Sequence, residues 1–312
     1  MSGNHKHIGR IRQTFIYLGK LVRMFIFQND WKVLPMAAAI AGLVSMAIGK
    51  GLFTTMEGTL QGALAMSCVC IWNGFFNSIQ SICRERPILK REHRAGLHIS
   101  SYLAAHLIYQ MLLCILQVII MIYVCAHTGV VFPEKGVISD AFIPELFITL
   151  FLLTYASDVL ALAVSAVVRN TTAAMTVMPF LLIVQLVFAG FFSMPSSLSG
   201  VSDLMITSHG IEGLCTIGRY NELPAVVIWN RAVAAGNTSI GGLFTVQDVL
   251  RLVEDYGAKD LVLSKLGEAS RNPAYESTLE NLLSCWGYLI CFVSIYAIFA
   301  LIFLEFIDRD QR

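Results

Sequence analysis

Residues 83–97, CRERPILKREHRAGL, form a densely charged stretch between two long apolar runs of the sequence. The stretch contains two glutamates, one histidine and five basic residues, namely Arg84, Arg86, Lys90, Arg91 and Arg94. Because ionised side chains are costly to place in hydrocarbon, we expect this stretch to be a loop outside the membrane. Short basic loops favour the cytoplasmic side, and residues 1–30 carry a second basic cluster, so both segments are expected to face the cytoplasm.

The composition of the 312-residue chain is that of a polytopic membrane protein. Hydrophobic residues make up 56% of the chain and charged residues only 14%, and the mean hydropathy is +0.68. Soluble domains carry about 25% charged residues. A formal net charge of +1 gives no overall basic excess, so nucleic acid is not an expected partner.

Apolar runs and their flanking charges predict an all-α membrane protein with six transmembrane helices. Residues 1–30 are expected to form an interfacial amphipathic helix, and residues 31–195 to hold spans one to five with a cytosolic loop at 83–100. An extracytoplasmic cap is expected at 196–283, followed by the sixth span and a short cytosolic tail at 284–312. The predicted spans are 33–49, 60–82, 101–126, 144–168, 173–192 and 284–306. This arrangement predicts a multi-pass protein of the cell membrane with both termini in the cytoplasm.

The N-terminal segment has apolar residues at helical spacing, with its basic residues largely off that stripe. The stripe consists of Ile8, Ile11, Phe15, Leu18, Val22 and Phe25. This pattern predicts a helix that lies in the membrane interface and does not cross it. An anchor on the lipid surface and a helix that also contacts a cytosolic partner both fit the pattern.

Several polar side chains fall inside predicted spans, where they need partners. Asn73, Asn77 and Gln80 share one face of the second span, and either hydrogen bonding between helices or a substrate-lining role accounts for them. Asp158 lies near the middle of the fourth span, where an unpaired acid costs several kcal/mol. A structural tie and a functional site are both open for Asp158.

The cysteines and the known catalytic motifs give no sign of chemistry in this chain. The spacing of the eight cysteines fits no metal site, and Cys215 and Cys285 are either a disulfide or two free thiols. Gly49-Lys50-Gly51 lacks the upstream glycine of a phosphate-binding loop, so the chain is not expected to hydrolyse ATP itself. The H-E-x-x-H and G-x-S-x-G patterns are absent from the sequence, so no catalytic residue, metal or cofactor is assigned.

The chain resembles a known family in the order of its segments. The basic N-terminal helix is followed by RERPILKREHRAGLHISSYLAAHLIY at 84–109, SDVLALAVSAVVRNTTAAMTVMP at 157–179 and FLLIVQLVFAGFFSMPSSLSGVSDLMITSHGIEGLCTI at 180–217. These segments and the predicted topology resemble the type-2 exporter permeases of ABC transporters, including the G-subfamily half-transporters. The chain departs from the G subfamily because no nucleotide-binding domain lies ahead of its membrane domain and its cap lacks the usual paired cysteines.

The resemblance implies a coupling role for the charged stretch. In the family, a cytosolic pattern of E-R and R-E residues docks on the ATPase subunit, and the matching residues here are Glu85, Arg86, Arg91 and Glu92. If the stretch is helical, Glu85 and Glu92 share a face and Arg84 and Arg91 form a neighbouring edge. A new turn beginning at Pro87 would loosen that phase.

The resemblance also implies an outer gate and a set of partners. The family closes its pathway with bulky apolar residues at the outer end of the fifth span, which correspond to Phe188, Phe191 and Phe192. A separate ATP-binding subunit would carry ATP and Mg, and a second permease copy would complete a homodimer or a pair with a related permease. Substrate export by alternating access would follow. The alternatives are a non-transporting scaffold or channel subunit and an intramembrane enzyme that uses Asp158.

Overall fold

The computed structural model describes residues 9–27, 30–189, 199–236, 239–240, 244–267 and 271–306. Within these ranges the protein is built almost entirely from α-helices, and one antiparallel pairing joins β1 (Ser239–Ile240) to β2 (Phe244–Thr245). The helices are α1 (Arg10–Phe27), α2 (Val33–Ile48), α3 (Met56–Ser78), α4 (Ser81–Arg94), α5 (Ile99–His127), α6 (Phe142–Val167), α7 (Thr171–Val187), α8 (Ser199–Ser202), α9 (Ile206–Ile217), α10 (Leu223–Ala234), α11 (Val246–Asp255), α12 (Lys259–Gly267) and α13 (Leu279–Glu305).

Five stretches of the described chain are helical, long and apolar enough to cross a membrane; they contain α2, α3, α5, α6 and α13, and the stretch with α3 continues through α4 to Arg94. Each corresponds to a predicted span, so the all-α membrane fold is confirmed. The remaining predicted span, the fifth at 173–192, corresponds to α7, an apolar helix whose 17 residues fall below the usual length of a spanning helix. At a rise of about 1.5 Å per residue, α7 covers roughly 25 Å of a hydrocarbon core about 30 Å thick. The count of six spans, with α7 as the fifth, therefore stays a prediction.

Helix α6 lies at the centre of the bundle, where it packs against α3, α5, α9 and α13. Small residues on α6, such as Ala156, Ser157 and Ala161, are fully buried and let the neighbouring backbones approach closely. Gly74 of α3 allows the backbones of α3 and α6 to approach closely. A Cβ built at Gly74 would lie 2.6 Å from the Thr154 carbonyl oxygen and 2.7 Å from the Asp158 nitrogen.

Gly74→Ala is expected to destabilise the bundle, because the added methyl group would meet the backbone of α6. Overpacking of this kind costs about 1–3 kcal/mol of unfolding free energy. Thermal unfolding of the purified protein in detergent measures the effect. Gly287→Ala in α13 is the matched control, since nothing lies within 4 Å of its built Cβ, and equal melting temperatures for the two variants would contradict the packing described here.

Helix α1 packs along α5 through a face built around Tyr17 and Leu21, both buried. The predicted apolar stripe is divided, since Ile11 and Phe15 are 76% and 63% exposed, whereas Leu18 packs against the core and Phe25 contacts Tyr109 of α5. Its exposed part lies on the surface of the chain, where an interfacial helix would meet lipid.

The stretch predicted as a loop is instead the helix α4. Its first backbone N–H groups are satisfied from another helix, because Ser165 Oγ of α6 accepts from the nitrogens of Ile82 and Cys83, each at 3.1 Å. The helix ends in a Schellman arrangement, in which Gly96 has φ of 107° and the Leu97 nitrogen donates to the Glu92 carbonyl at 3.0 Å. Pro87 is accommodated within the helix.

The two ends of the bundle carry different structures. Helices α1 and α4 lie together at one end, whereas α9 lies between the opposite ends of α3, α6 and α13. Eleven of the twelve residues of α9 are buried, and Asn281 Nδ2 of α13 donates to Thr216 Oγ1 at 2.9 Å. The segment predicted as an extracytoplasmic cap therefore contains a helix inserted in the bundle, and α11 and α12 each pack on α10 beyond it.

Candidate functional site

The candidate site is α4, because this helix turns one face toward the bundle and one face outward. Ile82, Glu85 and Leu89 are buried on the inner face. The outward face is a ridge of exposed residues spaced three or four positions apart, Arg84, Pro87, Ile88, Arg91 and Arg94. Three arginines around one apolar side chain make this ridge a basic surface with an apolar centre.

The inner face of α4 is hydrogen-bonded to α1. Tyr17 Oη donates to Glu85 Oε2 at 2.9 Å, and Lys20 Nζ donates to Tyr17 Oη at 3.0 Å. Lys20 Nζ also lies 3.6 Å from Glu92 Oε1. Burial raises the pKa of Tyr17, and electrostatic interactions with Tyr102 and Glu85 raise it further. The hydroxyl therefore stays protonated and serves as the hydrogen-bond donor. A buried, charge-assisted bond of this kind holds the two helices in one relative position.

A second set of contacts fastens α4 to α6. Arg86 Nη1 donates to the Val168 carbonyl oxygen at 2.8 Å, just beyond the last residue of α6. Together with the Ser165 hydroxyl, this bond ties both the start and the middle of α4 to the central helix of the bundle. Helix α4 is therefore bonded directly to α6 at two places.

The structure separates the residues predicted to couple to an ATPase. Of Glu85, Arg86, Arg91 and Glu92, only Arg91 is exposed on the outward ridge, while the other three contact their own chain. Sequence reasoning placed Arg84 on one edge with Arg91 without including it in the coupling set, and it did not single out Ile88. Their spacing from Arg91, seven and three positions, was a usable signal once the stretch is known to be helical.

Two of the three predicted substrate-pathway candidates bridge helices within the bundle. Asn77 Nδ2 donates to Gln117 Oε1 at 2.8 Å and Gln117 Nε2 donates to Asn77 Oδ1 at 3.0 Å, which pairs α3 with α5. Asp158 is fully buried and accepts from Ser78 Oγ at 2.9 Å, which links α6 to α3. Asn73 is buried, and Asn77 also borders a cavity between α1, α3, α4 and α5. The contacts of Asn77 and Asp158 fit the interhelical role, and a role in the substrate pathway stays a prediction.

The predicted outer gate falls partly outside the described residues. Phe188 follows directly after α7, and its nitrogen donates to the Val184 carbonyl at 3.1 Å. Phe191 and Phe192 lie outside the described residues. Cys215 and Cys285, left open as a disulfide pair, are both buried free thiols in this structure.

At the opposite end, His209 of α9 is a buried site that sequence reasoning did not single out. Its Nδ1 lies 3.2 Å from Glu212 Oε2 and its Nε2 lies 3.0 Å from the Asp203 carbonyl oxygen. The ring stacks on Tyr288 of α13 with centroids 4.4 Å apart. Nothing in the local sequence signals these contacts, because Tyr288 lies 79 positions away along the chain.

The chain matches the ABC-2 type transporter family over residues 10–217, which is more than half of its length. No curated protein matches the chain. The chain therefore belongs to the ABC-2 type transporter family. The matched region begins at α1 and ends with α9, so it includes both the helix pair at one end of the bundle and the inserted helix at the other.

Family membership establishes the general class of this protein. It is a multi-pass membrane component of an ABC-type transporter, a permease rather than a catalytic subunit. A permease of this kind implies an ATP-binding subunit as its partner.

Proposed function

We propose that this chain is the permease subunit of an ABC exporter that moves its substrate out of the cytoplasm by alternating access. A separate ATPase subunit binds ATP and Mg and drives the cycle. The outward ridge of α4 is the docking surface for that subunit, and Arg91 is the residue of the predicted coupling set that contacts it.

The observation that carries this proposal is the division of α4 into two faces. The outward ridge is basic and exposed, whereas the inner face is bonded to α1 by Glu85 and the helix is bonded to α6 by Arg86. A helix that served only as a surface anchor would not need both sets of bonds. A helix that transmits motion from a docked subunit to the centre of the bundle needs both sets of bonds.

Charge supports the orientation of the chain. Arg84, Arg91 and Arg94 are exposed at the end of the bundle that also holds α1, and short basic segments favour the cytoplasmic side. In this orientation both termini lie in the cytoplasm of a cell-membrane protein, α9 lies within the outer end of the bundle, and α10 to α12 lie outside. A second copy, or a related permease, completes the pathway, and Phe188 stands at its outer end.

The purified chain is expected to show no ATPase activity alone and to support hydrolysis when its cognate ATP-binding subunit is added, because the sequence carries no phosphate-binding loop. Phosphate release from the chain in lipid nanodiscs, with and without the partner, measures this. A variant of the partner with its phosphate-loop lysine replaced is the control for contaminating activity. ATP hydrolysis by the purified chain alone would contradict the proposal.

A further inference from the structure

A cavity of about 310 Å³ lies where α1, α3, α4 and α5 meet. Its walls combine apolar side chains with polar ones, and they include Leu21, Phe76, Glu85, His106 and Leu113. The cavity opens beside Arg84 and Asp30, whose side chains are 50% and 41% exposed and whose charged atoms are 3.9 Å apart. A cavity of this size has room for a small polar group together with an attached apolar segment.

His106 is the residue of this cavity whose hydrogen-bonding groups the described chain leaves unsatisfied. The residue is 3% exposed, and neither of its ring nitrogens has a hydrogen-bond partner among the described residues. A buried imidazole without partners is costly, since polar groups that leave water normally exchange one hydrogen bond for another. The site therefore points to a ligand that supplies the missing partner.

The geometry around His106 indicates what that ligand offers. Glu85 Oε2 lies 3.9 Å from His106 Nε2, which is too far for a direct hydrogen bond. With the ring proton on Nδ1, Nε2 is an acceptor, and the Glu85 carboxylate is an acceptor as well. A separation of 3.9 Å between two acceptors is compatible with one nitrogen that donates two N–H groups, one to each, at ordinary hydrogen-bond distance. A primary ammonium matches the negative charge of Glu85 in addition to this spacing.

The mouth and the apolar walls of the cavity suit the phosphate and the apolar part of an amphiphile that carries this ammonium. The long Arg84–Asp30 contact at the mouth leaves the guanidinium able to take a phosphate, a group that arginine binds strongly. Leu113 lies about two helical turns beyond His106 on α5, and Phe76 adds further apolar surface. Helix α1, which borders the cavity, exposes Ile11, Phe15 and Val22 on the surface where lipid is expected.

We propose that this cavity binds the headgroup of a phospholipid that carries a primary amine, such as phosphatidylethanolamine, from the leaflet on the α4 side. The ammonium lies between Glu85 Oε2 and His106 Nε2, and the phosphate lies at Arg84. The bound lipid ties α1 and α4 to α3 and α5. This site does not depend on the transport function proposed above.

Native mass spectrometry of the full-length chain in detergent, titrated with lipids of identical acyl chains, tests the proposal. Phosphatidylethanolamine is expected to bind at least about tenfold more tightly than phosphatidylcholine, because the trimethylammonium group of the latter has no N–H to donate. His106→Phe is expected to remove most of this preference while leaving phosphatidylcholine binding unchanged. His127→Phe, at the far end of α5 and outside the cavity lining, is the matched control and should behave as the wild type.

Equal binding of the two lipids by the wild-type chain would overturn the proposal and leave water as the occupant. This comparison needs no variant, so it holds even if His106→Phe fails to fold. A full lipid preference in a folded His106→Phe protein would also overturn it. Free ethanolamine at millimolar concentration is expected not to displace the bound lipid, and displacement would reassign the cavity to a soluble amine and contradict the lipid assignment.

Discussion

Replacing Arg91 by glutamate is expected to weaken binding of the ATP-binding subunit by at least about tenfold and to uncouple ATP hydrolysis from transport. Arg91 is exposed on the outward ridge of α4, so the reversal leaves the internal contacts of the helix in place. Reversing a charge at a docking surface juxtaposes like charges, which costs several kcal/mol of binding free energy. Affinity measured between the purified permease in nanodiscs and its partner, together with hydrolysis and transport rates, reports the effect.

Arg251→Glu on α11 is the matched control, because it makes the same charge reversal at an exposed position beyond the opposite end of the bundle. It is expected to leave both affinity and coupling unchanged. If Arg91→Glu binds the partner and couples hydrolysis as the wild type does, the outward ridge of α4 is not the docking surface.

Replacing Glu85 by arginine is expected to destabilise the permease itself, by about 3–5 kcal/mol of unfolding free energy. The side chain is 5% exposed and accepts a hydrogen bond from Tyr17 Oη, and the new cation would lose this contact and lie buried near the Lys20 cation. A large drop in melting temperature and loss of the monodisperse protein in detergent are the expected observations.

Glu254→Arg on α11 serves as the control for Glu85→Arg. Among the described residues, the Glu254 carboxylate pairs with Lys259 at 3.7 Å, both side chains are exposed, and such pairs contribute at most about 1 kcal/mol. A Glu85→Arg protein that melts as the wild type but loses coupling would return Glu85 to the docking surface, as the family resemblance implies.

The spanning helices could be predicted from the sequence because hydropathy is a local property. Helix α2 begins at the predicted Val33, and α5 and α6 each begin two residues before the predicted start. The helical state of α4 could not be predicted in the same way. Its charges and Pro87 are typical of a loop, and the hydroxyl that caps its first turn comes from Ser165, 82 positions beyond Cys83.

The insertion of α9 was missed for a related reason. The helix has 12 residues and contains a histidine and a glutamate, so its hydropathy and length fall below those of a span. It fits because Gly210 and Gly213 allow contact with Leu153 and Thr149 of α6, and such complementarity depends on two distant segments.

For the candidate site, the sequence indicated the helix phase but not which face points inward. The seven-residue spacing correctly groups Glu85 with Glu92 and Arg84 with Arg91. Only the position of Tyr17 on α1 shows that the glutamates are turned toward the chain. Local pattern thus gives the faces of a helix, and tertiary contacts give their environment.

Site-specific photo-crosslinking tests the docking of the ATP-binding subunit on α4 most directly. A benzophenone side chain at Ile88, 40% exposed on the outward ridge, is compared with one at Val249, 43% exposed on α11 beyond the opposite end. In membranes containing both subunits, the Ile88 probe is expected to form a covalent adduct with the ATP-binding protein, whereas the Val249 probe forms none. An adduct from Val249, or none from Ile88 in an assembled complex, would contradict the account.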